Sequence, residues 1–176
     1  LPQKVEKEIS IYTPEELEKL FNAVRGTELE IVILLAGWLG MRRSEILGLK
    51  WEDVDLEKKT ILISRARVLD ENNEYVEKGT KTTKSRRCLP LPDYIVDVLR
   101  NTPHTDERVV PTSPQTIRNR YVAATEKAEI PFYGLHALRH TNASIMLSLN
   151  TPDKYAMERG GWSSSKTMKQ IYQHTM

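Results

Sequence analysis

Leu135-His136-Ala137-Leu138-Arg139-His140 is the stretch that decides how this 176-residue chain is read. Positions i and i+3 of a helix are surface neighbours, so His136 and Arg139 point the same way from a helix expected over residues 134–149. Leu135, Leu138, Ile145 and Leu149 lie on other rows and are expected to hold that helix in a core. A guanidinium grips two phosphate oxygens in a fork, and an imidazole beside it gives or takes a proton near neutral pH. Taken alone, the pair also fits a surface histidine beside a solvated arginine. The rest of the chain decides between them.

Hydrophobic residues at 39% and charged residues at 28% describe an ordinary globular domain with a sizeable core. The single cysteine, Cys88, excludes an internal disulfide and fits a reducing compartment. It lies in an alternating run, where a buried inert thiol is expected. The longest apolar run, residues 31–41, is too short to span a bilayer, which points to a cytoplasmic protein and to no membrane partner. A formal charge of +2 is a weak signal for nucleic acid, but its distribution says more. Lys78, Lys81, Lys84, Arg86 and Arg87 fall within ten residues that contain no acid. A local basic patch of this kind contacts phosphates even when the whole chain is near neutral.

Along the chain, residues 1–11 lack periodicity and read as a linker. Thr13-Pro14-Glu15-Glu16 is a capping box with proline at the first helical position, followed by Leu17, Leu20, Phe21 and Val24 on one face. Residues 29–39 are apolar nearly all round, which predicts a central helix. Gly40 stops it, and Arg42 follows in the turn before a short helix near 44–47. A charge placed directly after a buried helix is costly unless it meets a partner or lines a cleft. Alternation then predicts a strand over 60–68, a return over 74–76 and a third strand over 86–91, with Lys81 and Lys84 near a hairpin turn. Helices are expected over 93–100, over 114–128 behind Ser113, over 153–159, and over 164–173 beyond the Gly160-Gly161 break.

Gly40-Met41-Arg42-Arg43-Ser44-Glu45, the Lys81 hairpin, His136-Ala137-Leu138-Arg139, Gly160-Gly161-Trp162-Ser163-Ser164 and Tyr172 resemble, in this order, the motifs of the tyrosine recombinase family, specifically phage-type integrases. The resemblance runs from about Thr13 to the end. It implies an α+β, mainly helical catalytic domain over 12–176 with a small three-stranded antiparallel sheet. It also implies a missing N-terminal DNA-binding region before residue 12 and a shortened C-terminus.

The implied activity is site-specific DNA recombination, the integration or excision of a phage or mobile element in a bacterial host cell, through a 3′-phosphotyrosyl intermediate. Tyr172 would be the nucleophile, with an unperturbed pKa near ~10 that cations lower. Arg42 and Arg139 would clamp the phosphate, because planar forks hold it in register where a lysine acts as a point charge. Trp162 stands where most family members have histidine, although tryptophan also occurs there. It can donate an indole N–H but cannot carry a proton on and off. His136 would assist proton movement. Lys81 would protonate the departing 5′ oxygen, with Lys84 the alternative in the same hairpin. Glu45 either steadies Arg42 by an ion pair or is an ordinary helix carboxylate, and His140 is structural.

Lys84, Arg86 and Arg87 would contact DNA. The implied partners are double-stranded DNA attachment sites and further copies, forming a tetramer on DNA from a monomer when free. No cofactor is expected. A zinc site at His136 and His140 lacks the carboxylate of its motif, Arg139 would repel the cation, and no glycine-rich nucleotide loop is present. Two other readings stay open: a type IB topoisomerase, which reseals the same strand, and a non-catalytic DNA-binding module.

Overall fold

The structure is a computed structural model that describes residues 9–79 and 85–175, with side chains through residue 170. Thr13 opens α1 (Pro14–Val24) with the expected reciprocal cap, its hydroxyl accepting from the Glu16 amide and the Glu16 carboxylate accepting from the Thr13 amide. Gly26 follows in the left-handed region, and α2 (Leu29–Gly37) then runs buried along its whole length. A helix apolar on every side needs neighbours on every side. It has them in α1, α4 (Asp93–Asn101), α5 (Pro114–Lys127) and α6 (Leu135–Ser148). The short α3 (Arg43–Gly48) leads from this bundle into the strands.

Two small sheets replace the single three-stranded sheet drawn from the sequence. β1 (Val54–Asp55), β2 (Thr60–Ile63) and β5 (Arg87–Pro90) form an antiparallel sheet in the order β1-β2-β5. β3 (Arg65–Leu69) and β4 (Tyr75–Gly79) form a separate hairpin. The strand expected over 60–68 therefore breaks at Ser64, and its two halves serve different sheets. Beyond the break, β3 packs on α3. A Cβ on Gly48 would stand 3.1 Å from the carbonyl carbon of Ala66 and the amide nitrogen of Arg67, so any larger residue would push β3 back by a few tenths of an ångström.

Two burial expectations are corrected. In β5 the inward residues are Arg87 and Leu89, which leaves Cys88 exposed. Leu149 is 73% exposed just past the end of α6, whose inner surface is built from Ala137, Leu138, Thr141, Ala143 and Met146. A second, smaller apolar cluster of Ala143, Met146, Ala156 and Met168 fastens α7 (Asp153–Gly160) and α8 (Ser165–Thr175) to α6, with Trp162 packed against it. Among the described residues no helix is long and apolar enough to cross a membrane.

Candidate active site

Arg42 stands at the N-terminal edge of α3, and Glu45 one turn on reaches back to it. The Glu45 carboxylate accepts the Arg42 backbone N–H at 2.9 Å and its Nη1 at 3.0 Å, while Arg42 Nη2 donates to the carbonyl of Gly161 at 2.8 Å. Of the two readings of Glu45, the geometry is that of an ion pair. Burial by itself would raise the Glu45 carboxyl, but hydrogen bonds and charges from Arg87 and Arg42 outweigh it and hold the pKa below the usual carboxylate value.

Arg139 comes from the inner side of α6 and is 2% exposed. Its Nη1 donates to the carbonyls of Gly40 and Gly160, and its guanidinium lies 4.1 Å over the Trp162 ring. Nε and Nη2 are buried with no hydrogen-bond partner among the described residues. Burial, with the charge of Arg42 added, pulls its pKa down to about 9, so it still holds its proton at neutral pH. Gly160 and Gly161 are consecutive, so one turn fixes both guanidinium groups: Arg139 through the first carbonyl and Arg42 through the second. Gly161 caps α7 at φ +65°, and its backbone conformation aims the carbonyl that holds Arg42.

His136 lies one turn before Arg139, but the two do not point the same way as expected: Arg139 turns into the core, whereas His136 opens to solvent. Partial burial, then the charges of Arg139 and Arg42, lower its pKa from the ordinary histidine value. Its ring meets His140 edge-on at 4.3 Å, and His140 faces Trp162 at 6.2 Å. Burial and then the neighbouring His136 and Arg139 bring the His140 ring down to about 4. The three rings thus form a neutral ladder beside the arginines. Beyond His136 opens a groove of about 720 Å³ whose lining includes Arg43, Tyr75, Gln115, Arg118 and Tyr133.

Arg42, Glu45, His136, Arg139 and Trp162 are therefore brought together around the Gly160–Gly161 turn. Tyr172 lies on α8, whose backbone packs on α6 and α7 and is fastened by Met168 and by a 2.7 Å ion pair between Lys169 and Asp153. The side chain of Tyr172, and all of Lys81 and Lys84, lie outside the described residues. Arg86 is exposed. Arg87, expected on a DNA-facing patch, is instead buried and paired with Glu45. The signal for this was present, since Arg87, Leu89 and Leu91 share one face at a period of two.

A family model described as the phage integrase family matches residues 11–176. A XerC-like tyrosine recombinase of Caldanaerobacter subterraneus subsp. tengcongensis is 30% identical over 205 residues, covering 99% of this chain and 52% of that protein. The integrase of Salmonella phage P22 is 27% identical, covering 99% of this chain and 46% of its own. The chain spans about half the length of these curated relatives. Among solved structures, the Tn1549 transposon integrase in complex with a circular intermediate DNA superposes with a TM-score of 0.77 at 19% identity, over 98% of this chain and 63% of that one. The XerA recombinase gives 0.71 at 21% identity, over 100% and 62%. Likeness at such identities speaks for the fold alone. Because the family match takes in every helix and strand described above, the chain belongs to the phage integrase family.

Proposed function

We propose that the protein catalyses site-specific DNA strand exchange. The observation that carries this reading is the pair of guanidinium groups fixed by consecutive carbonyls, with Nε and Nη2 of Arg139 buried and without a hydrogen-bond partner among the described residues. A desolvated cation with unused donors is costly unless an anion completes it. A phosphodiester supplies that anion, and the negative charge that builds on its nonbridging oxygens during attack is met by the clamp.

The Tyr172 oxygen attacks phosphorus as its proton leaves, and the P–O5′ bond breaks as the 5′ oxygen takes up a proton. The product is a 3′-phosphotyrosyl bond and a free 5′ hydroxyl. A 5′ hydroxyl of the partner duplex reverses the step, so one phosphodiester is exchanged for another. By resemblance, Lys81 or Lys84 protonates the 5′ oxygen, His136 assists in its neutral form, and Trp162 donates its indole N–H to the phosphate. Arg43 and Arg118 in the adjoining groove, with Arg86, supply cations for the flanking backbone. Strand exchange between two duplexes requires several copies on DNA, four in the family that this chain resembles.

The test is a plasmid bearing both junction sequences of the genomic element that carries the gene, incubated with the protein expressed from its complete gene. Recombinant circles that vanish with Tyr172→Phe are expected. Relaxed plasmid without recombinants would overturn strand exchange in favour of resealing of the same strand.

A further inference from the structure

We propose that Arg87 is a positioning residue of the active site, which saturates Glu45 so that the charge of Arg42 stays available to the phosphate. The proposal rests on the strand-exchange reading.

Arg87 and Glu45 are 6% and 3% exposed, and they meet as two parallel forks. Nη1 donates to Oε1 at 2.9 Å and Nη2 to Oε2 at 3.0 Å. Arg42 reaches the same carboxylate only through Nη1 and its backbone amide. The stronger, bidentate partner of Glu45 is thus Arg87, and Arg42 is the lesser one. Two guanidinium groups and one carboxylate leave the triad with a net charge of +1. Without Arg87, Arg42 and Glu45 would form a neutral pair, and the carboxylate would draw Arg42 back from the anion it has to meet.

The remaining bonds of Arg87 extend the argument. Its Nε donates to the carbonyl of Arg159 at 2.9 Å, and its Nη1 also donates to that of Ser85 at 3.0 Å. One side chain on β5 therefore ties α3, the end of α7 and the residue that follows the lysine-bearing segment. The turn is built around it: a Cβ on Gly161 would stand 2.7 Å from Arg87 Nη1 and 3.2 Å from Arg42 Nη1. Buried against Glu45, its guanidinium acts on the phosphate only through that carboxylate and Arg42.

The experiment compares single-turnover cleavage of two attachment-site duplexes, one with an ordinary scissile phosphate and one with a methylphosphonate there, which lacks the nonbridging charge. On the ordinary phosphate, Arg87→Gln is expected to slow cleavage roughly 10- to 100-fold, in line with other residues that orient a reacting group from behind. On the methylphosphonate the deficit is expected to shrink to about threefold or less, because a cation has less charge to meet there. Arg87→Lys restores the net charge without the fork, serves if the glutamine variant does not fold, and is expected to show the same dependence with a smaller deficit. Equal slowing on both duplexes, or none, overturns the proposal while strand exchange stands. No Tyr172 adduct from the unaltered protein on the phosphate duplex overturns both.

Discussion

At the residue scale, the site depends on carbonyl oxygens as much as on charged side chains. Arg139 is held by Gly40 and Gly160, so Arg139→Lys keeps a cation but loses the fork and the two buried donors that have no partner among the described residues. Cleavage is expected to fall at least about 100-fold with DNA binding retained, measured by single-turnover assay beside a binding isotherm. Gly161→Ala places a Cβ at φ +65° against two guanidinium groups. It is expected to cost about 1–3 kcal/mol of stability in denaturant melts and to lower cleavage as well. Cys88 tests the corrected strand face directly: exposed on β5, its thiol is expected to react with a chromogenic disulfide in the native protein as fast as in the unfolded one. Most of the residues gathered at the site were legible because the ordered motifs that carry the family resemblance include them. For Arg87 the period of two indicates an inward face, but it does not name the carboxylate that the guanidinium meets there.

At the element scale, local signals carried over where a single physical cause sets them. The Thr13 capping box and the Ser113 cap mark helix starts locally, the nearly all-apolar run of α2 marks a helix that must be surrounded, and each is found. The break at Ser64 did carry a signal that the reading of one strand passed over, because the apolar positions shift by one across it, from Ile61 and Ile63 to Ala66 and Val68. For α6 the periodic pattern named the right helix and partly the wrong anchors. Leu138→Ala, at a fully buried position, is expected to cost about 2–5 kcal/mol, whereas Leu149→Ser at the exposed end is expected to change stability by less than about 0.5 kcal/mol, both read from urea melts.

At the scale of the whole molecule, α8 is held by a cluster separate from the main core and by the Lys169–Asp153 ion pair, so the placement of Tyr172, the proposed nucleophile, depends on a small set of contacts. On α6, His140 beside Trp162 links the stability of the site to pH. Its pKa is about 4 in the folded protein against a reference of 6.5, so between these values the unfolded chain binds more protons and stability falls as pH falls. Thermal melts are expected to show Tm dropping from pH 6.5 to pH 4, with a shallower drop in His140→Phe. The catalytic account itself is tested most directly by trapping the protein on a nicked attachment-site duplex, digesting the adduct and locating the nucleotide by mass spectrometry. The account predicts a peptide carrying the DNA 3′ phosphate on Tyr172 and no adduct from Tyr172→Phe. DNA bound without any covalent adduct, or an adduct on another residue, would contradict it.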